Sequence, residues 1–343
     1  MDPLLRRQIG TTRLEVTQLG LGGASLGDMR ETIAEAQASA CIEAAHAAGI
    51  GYFDTSPWYG NGKSELRFGH VLRAKPRDSF VISTKVGRVH RRPAEPDSYR
   101  HPAWVGGLPF EPHFDYTHDG VGNSYEMSLA RLGLNRLDAL LIHDLDPRFH
   151  KSEEGVAARL EQLDAGGGYR ALADLKAAGE IAAIGAGINV VGMIPRFLQR
   201  WPIDFFLVAM PYTLLDQAGL DELALCASRG VSIVIGAPFA SGILVRGPGP
   251  GAFYRYQPGQ PDVIAKAQRV AEVCRRHAVP LAAAALQFPL GQPNVVSVIP
   301  GPVATEEVRQ NLAAMRCDIP DALWAELKSE RLIRAEAPTP RLA

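Results

Sequence analysis

Gly51-Tyr-Phe-Asp-Thr-Ser-Pro-Trp-Tyr-Gly60 opens as a buried strand and closes as a turn. Its apolar run stops on a carboxylate, Asp54, and Ser56-Pro57 then takes the chain out of the strand, which lets the Tyr59 phenol fold back toward that carboxylate. Two later runs end the same way, Phe80-Val-Ile-Ser-Thr-Lys85 on an ammonium and Leu137-Asp-Ala-Leu-Leu-Ile-His143 on an imidazole. A strand buried on both faces favours Val, Ile, Leu and Phe, so an ionisable last residue marks where a parallel strand opens onto ligand. Singly, Tyr59 is an ordinary loop tyrosine, Lys85 a surface lysine and His143 a satisfied core histidine. Repeated at successive strand ends, they form one site.

The rest of the chain keeps the same beat. Residues 6–22 read as a hairpin, Arg6 to Ile9 and a Gly10-Thr11-Thr12 turn, leading into a strand from Leu14 to Gly22. Gly20, Gly22, Gly23 and Gly27 leave that strand's end open, for a ligand or simply for turns. Helical patterns cover 31–48, 64–73, 120–132 with Asp119 as N-cap, 172–178, 191–199, 217–229, 262–277 and 303–314. Between them lie apolar runs at 181–186, 205–209, 231–235 and 295–299. Eight strands alternating with helices, with no break in composition, predict an α/β chain folded over 1–343 as a single (β/α)8 barrel with an N-terminal hairpin and long βα loops. The polar, Pro-rich stretch 88–118 is too long for an ordinary βα connection and is expected to wall the pocket. Its histidines lack the i, i+4 spacing of a metal pair, so no metal is expected. The tail, Arg334 to Ala343, is expected to be loosely held.

The chain has 36 basic and 37 acidic residues among 343, a formal charge of −1, which gives no electrostatic footprint for nucleic acid or an anionic membrane. Cys41, Cys226, Cys274 and Cys317 are dispersed without a CxxC, which suits a reducing cytoplasm. Met1-Asp-Pro-Leu-Leu-Arg-Arg lacks a signal peptide's apolar core, and no run approaches the roughly 18 apolar residues of a membrane span. A cytoplasmic monomer or homodimer acting on a small molecule is expected.

Asp54, Tyr59, Lys85 and His143 stand in the order and strand positions of the aldo-keto reductase tetrad, and nearly the whole chain resembles that family. Further matching stretches are Arg13 to Gly22, Ile184-Gly-Ala-Gly-Ile-Asn189, Pro238-Phe-Ala-Ser-Gly-Ile-Leu244, and Ile299-Pro-Gly301 with Asn311. Asp115 to Gly120 and His143-Asp-Leu-Asp-Pro147 are similar to the aldose 1-dehydrogenase branch, with its L-fucose, D-threo-aldose and L-galactose dehydrogenases, and to pyridoxal 4-dehydrogenase. The resemblance implies hydride transfer to a nicotinamide cofactor, since no side chain can accept a hydride. It also implies that Tyr59 moves the proton, Lys85 lowers the phenol's pKa, Asp54 orients Lys85, and His143 holds the substrate oxygen.

By the same matching, Asn189 would hold the carboxamide, and Pro238, Phe239, Ser241, Gly242 and Leu244 would cover the pyrophosphate. Gly22 would approach the cofactor, and Gly301, Val303, Glu307 and Asn311 would surround the adenosine. Trp58, Trp104, His118 and Tyr212 are the expected substrate contacts, with the Phe253-Tyr-Arg-Tyr256 loop as a further aromatic surface for a sugar or aldehyde. Gly236 stands where many members place the tyrosine that stacks on the nicotinamide. Gly301, Pro302 and Glu307 replace the cationic set that binds a 2′-phosphate, so NAD is expected to be preferred over NADP. Oxidation of an aldose of the L-fucose, L-galactose or D-arabinose type at its anomeric carbon to a lactone is the expected function; a pyridoxal 4-dehydrogenase, a general aldehyde reductase, a Schiff-base lyase working through Lys85 and a non-catalytic cofactor-sensing subunit compete with it.

Overall fold

In the computed structural model, which describes residues 1–341, the chain opens with an antiparallel hairpin of β1 (Arg6–Gln8) and β2 (Glu15–Thr17). Next come β3 (Leu21–Gly22), β4 (Tyr52–Asp54), β5 (Val81–Val86), a second hairpin of β6 (Arg88–Arg91) and β7 (Glu111–Phe114), and β8 (Ala139–His143). The chain continues with β9 (Ala183–Ile188), β10 (Phe205–Ala209), β11 (Ser232–Gly236), a third hairpin of β12 (Phe253–Tyr254) and β13 (Gln257–Pro258), and β14 (Val295–Ile299). Strands β3, β4, β5, β8, β9, β10, β11 and β14 lie side by side in one parallel sheet in that order. Backbone bonds from Val298 N to Gln18 O (2.8 Å), Gly20 N to Val298 O (2.9 Å) and Gly22 N to Pro300 O (2.8 Å) join its two edges. Closure removes both open edges and makes the (β/α)8 barrel.

Alternation along each strand sorts the side chains. Leu141, Phe205, Leu207, Val234 and Val296 fill the barrel, whereas Leu140, Ile142, Phe206, Ile233 and Ile235 pack outward against the helices. Ile9, Leu14 and Val16 of the first hairpin belong to the inner cluster and plug the N-terminal mouth. Among the described residues the barrel opens at the rim where the strands finish.

Four expectations need correction. The strand read over Leu14 to Gly22 is divided between the hairpin and the barrel, because Leu14 and Val16 serve the plug while Leu21 serves the sheet. Stretch 88–118 is not all loop, since its two ends pair as β6 and β7. The helix after it is capped by Thr117, whose hydroxyl accepts from Gly120 N at 3.2 Å, rather than by Asp119. The tail is held as far as Pro340: Ala337 is fully buried and Arg334 N donates to Gln217 Oε1 at 3.1 Å, while 342–343 lie outside the described residues. Helices over Glu153–Leu163, Leu281–Gln287 and Asp321–Ser329 were not anticipated.

Helix Lys63–Leu72 crosses helix His118–Leu132 where Gly69 leaves no room for a side chain, since a Cβ there would lie 2.4 Å from Leu132 O. Gly69→Ala is therefore expected to destabilise the fold by roughly 1–3 kcal/mol in urea unfolding. Gly122→Ala, with nothing within 4 Å of its Cβ, should stabilise by about 0.5–1 kcal/mol through helix propensity.

Candidate active site

β4 and β5 pair in parallel with Asp54 opposite Ser83, which brings Asp54 and Lys85 together at the rim. Lys85 Nζ donates to Asp54 Oδ1 (2.9 Å), Asp54 Oδ2 (2.8 Å) and Thr55 O (2.7 Å), and both side chains are buried. Ser83 Oγ donates to Asp54 Oδ1 at 2.7 Å and meets the Tyr52 hydroxyl at 3.0 Å. Burial raises the Asp54 carboxyl above its ordinary value, offset in part by the Lys85 charge.

Tyr59 lies across this pair, its ring centroid 5.1 Å from Lys85 Nζ and 5.8 Å from the His143 ring. Its phenol is held well above the usual value by burial first, then by the Asp54, Tyr256 and Asp144 charges, with Arg88 as the opposing cation. Lys85 stands beneath the phenol's ring with its charge balanced at close range by the Asp54 carboxylate.

His143 is held by a residue that no motif or spacing singles out. Arg88, on the first residue of β6, places Nη1 3.0 Å from His143 Nδ1 and Nη2 2.8 Å from Asp144 Oδ2. Its guanidinium lies 4.7 Å over Trp58, 4.4 Å over Phe114 and 5.0 Å over Phe149. Ser56 Oγ is 3.1 Å from the same Nδ1. Burial pushes the His143 imidazole well below its ordinary value. Asn189 Nδ2 donates to Asp144 Oδ1 (2.7 Å) and Asp146 Oδ2 (3.2 Å), leaving the amide oxygen as the acceptor it can offer a ligand.

From Asp54 and Tyr59 a groove of about 450 Å³ runs outward past Gly22, Gly236, Pro238, Phe239, Ser241, Gly242, Gly301, Val303, Glu307 and Asn311. Leu244 is not part of its wall, because its side chain turns into the core. Gly22 is explained by closure of the barrel, since a Cβ there would lie 2.9 Å from Ile299 O. At Gly236 a Cβ would lie 2.8 Å from Leu207 Cδ2, so a core leucine occupies the space next to the missing tyrosine. Arg30 and Arg246 also line the groove, and neither makes a salt bridge among the described residues. Burial, and then the Arg246 charge, lower the Arg30 pKa, so an anion beside Arg30 would be favoured. A nicotinamide dinucleotide suits this groove, since Arg30 and Arg246, without salt bridges among the described residues, can face its pyrophosphate; Asn189, expected at its carboxamide, is not part of the groove's lining.

Where the adenosine is expected, Glu307 Oε2 accepts from Val303 N at 2.7 Å, so that amide is already committed and is not free for a phosphate. Arg309 is exposed and paired with Glu306.

Among the expected substrate contacts, Trp58 and Trp104 stand beside the phenol, with ring centroids 5.4 Å apart and Trp104 6.0 Å from Tyr59. His118 and Tyr212 do not reach the site. His118 is exposed on the first turn of its helix beside Asp119, and Tyr212 is buried against Phe288 at 5.5 Å. Instead His101 approaches Trp58 at 4.7 Å, and Tyr256 enters the groove from the β12–β13 turn. Arg255 and Tyr256 both have left-handed backbones (φ 50° and 64°), a conformation that costs non-glycine residues roughly 1–3 kcal/mol each. The turn is held by Arg255 Nη2 donating to Asp216 Oδ2 (2.7 Å) and Tyr256 N donating to Ser241 Oγ (2.9 Å).

A sequence profile of the Aldo/keto reductase family matches residues 18–331. Pyridoxal 4-dehydrogenase of Microbacterium luteolum is 40% identical over 96% of this chain and 98% of its own. D-threo-aldose 1-dehydrogenase of a Pseudomonas species is 38% identical over 95% and 96%. Among solved structures, an aldo-keto reductase of Bacillus halodurans in its holo form superposes with a TM-score of 0.73 over 97% of this chain and 98% of its own, at 23% identity.

Lys85→Met would leave Asp54 ionised and buried without its partner, and is expected to cost roughly 3–5 kcal/mol in urea unfolding. The Asp54→Leu/Lys85→Met double variant should recover a large part of that loss. A double variant no more stable than the single one would show that the pair is not what couples the two strand ends.

Proposed function

The chain belongs to the aldo/keto reductase family of nicotinamide-dependent oxidoreductases, and from that premise we propose that it dehydrogenates an aldose at its anomeric carbon to a lactone. L-fucose, L-galactose and D-arabinose are the first candidates, with NAD⁺ preferred over NADP⁺. The observation that carries this reading is the gathering of Lys85 with Asp54, and of His143, around Tyr59, which with Asp54 lines the inner end of the groove, while Trp104 stands beside the phenol and Trp58 packs on Trp104.

A cyclic aldose presents a hemiacetal hydroxyl at its anomeric carbon, and its oxidation to the lactone removes a hydride from carbon and a proton from oxygen. Bound nicotinamide supplies the hydride acceptor. His143 holds the anomeric oxygen and Tyr59 takes its proton, while the indoles offer flat apolar faces to the sugar ring and keep water from the reacting carbon. Asp54 and Lys85 set the electrostatics beneath the phenol. Glu307, with one carboxylate oxygen on Val303 N, keeps a negative charge at the adenosine end that favours ribose hydroxyls over a 2′-phosphate.

The pyridoxal-oxidising relative supports a second substrate. Pyridoxal closes on its neighbouring hydroxymethyl group to a hemiacetal, so it offers the same kind of reacting carbon as an aldose, and the aromatic walls suit its ring. A Schiff-base mechanism is disfavoured because Lys85 has no free donor or lone pair to turn on a carbonyl.

Tyr59→Phe is expected to lower kcat by roughly 10²–10⁴-fold while leaving cofactor binding by fluorescence titration unchanged. Because burial holds the phenol protonated, oxidation should speed up as pH rises into the alkaline range and carbonyl reduction should slow down. Oxidation that instead declines above neutrality would contradict the role of Tyr59. A panel of aldoses, pyridoxal and simple aldehydes assayed with both cofactors decides the substrate. Turnover of pyridoxal alone overturns the sugar assignment, and a higher kcat/KM with NADP⁺ overturns the reading of Glu307.

A further inference from the structure

We propose that Arg88, together with Asp144, is a positioning pair that locks the His143 ring as the neutral tautomer carrying its hydrogen on Nε2. The inference rests on the function proposed for His143 as the group that holds the substrate oxygen. A guanidinium has five N–H donors and no acceptor, and it stays charged at any pH a folded protein meets. At 3.0 Å from Arg88 Nη1, His143 Nδ1 must therefore present a lone pair. Ser56 Oγ, 3.1 Å from the same nitrogen, can only add a second donor there, and its own oxygen accepts from Trp58 N at 3.1 Å. The one ring hydrogen then sits on Nε2, 3.5 Å from Asp144 Oδ2 and available to a ligand oxygen.

Arg88 has no freedom to relax this arrangement. Its side chain is 3% exposed, its second nitrogen is tied to Asp144 at 2.8 Å, and aromatic rings of Trp58, Phe114 and Phe149 surround its plane. Asp144 in turn accepts from Asn189 at 2.7 Å, so one carboxylate fixes both the guanidinium beneath the imidazole and the amide expected at the carboxamide. The charged and titratable groups around the ring are Arg88 on β6, Lys85 on β5, Tyr59 after β4 and the adjoining Asp144, with Tyr116 donating to the His143 carbonyl at 2.6 Å from behind. Two cations face the ring and one anion flanks it. Burial is the largest cause of its lowered basicity, Asp144 opposes it, and Arg88 and then Lys85 add to it. Removing Arg88 alone frees Nδ1 to take a proton and leaves Asp144 to attract it. The ring then gains a titration and a choice of tautomers that the wild type lacks.

The test reads the ring directly, without substrate or cofactor, by ¹⁵N NMR of histidine-labelled protein from roughly pH 5 to 8. Wild type is expected to show a neutral His143 with hydrogen on Nε2 throughout, and Arg88→Met a ring that titrates or exchanges tautomers within that window. If the lone buried Asp144 unfolds Arg88→Met, the Arg88→Met/Asp144→Asn double variant removes the orphaned charge and should show mixed tautomers. In turnover, the folded variant should lose roughly tenfold to a hundredfold in kcat, as when an orienting partner of a functional imidazole is removed, with a smaller change in KM. A wild-type ring protonated on Nδ1, or a variant ring indistinguishable from wild type, overturns the proposal. A locked ring in a protein that oxidises no hemiacetal would leave the lock standing and overturn the function.

Discussion

A carboxylate and an ammonium buried together at the rim of a barrel are costly to desolvate, and Asp54 and Lys85 are tolerated because every strong bond available to the ammonium is made. Two bonds to Asp54 and one to the Thr55 carbonyl consume its three hydrogens, while Ser83 and Tyr52 extend the chain of donors behind the carboxylate. That saturation dictates the rest of the site. Lys85 cannot leave Asp54 to serve as a nucleophile or donate to the phenol, so it acts on Tyr59 through space. The cation that faces the imidazole directly must then come from elsewhere, and Arg88 supplies it.

What was legible in the sequence was what breaks a pattern. Asp54, Lys85 and His143 stood out because each interrupts a run that otherwise demands apolar residues, and β4, β5 and β8 bring their ends to one rim. Arg88 did not stand out, since an arginine three residues past a strand in a polar stretch resembles any loop arginine. Only the pairing of β6 with β7, residues separated by a Pro-rich segment, turns it inward. The misassigned residues failed for a related reason. His118 and Tyr212 are the right kinds of side chain for a pocket, but one faces outward from a helix turn and the other packs into the core. Direction is set by neighbours far away in sequence. Leu244 lies between Gly242 and Val245, which border the groove, but its side chain joins Ile243 in the core.

Arg30 and Arg246 line the groove without acidic partners among the described residues, and Glu307, held in place by Val303 N, lines the same groove. The strained Arg255-Tyr256 turn brings a phenol over the inner end, and bonds to Asp216 and Ser241 hold it there.

Closure of the barrel also governs how the chain is made. Ser297 Oγ donates to Thr17 O across 280 positions of sequence, and the bonds from Val298 to Gln18 and Gly20 lie beside it. On a ribosome the first barrel strand therefore leaves the exit tunnel with no partner on one side until almost the whole polypeptide has been synthesised. During that interval the nascent protein carries an unpaired edge able to join a neighbouring chain, and chaperone capture or a slow final docking step would act at this seam. The last strand to appear thus decides when the first one becomes native.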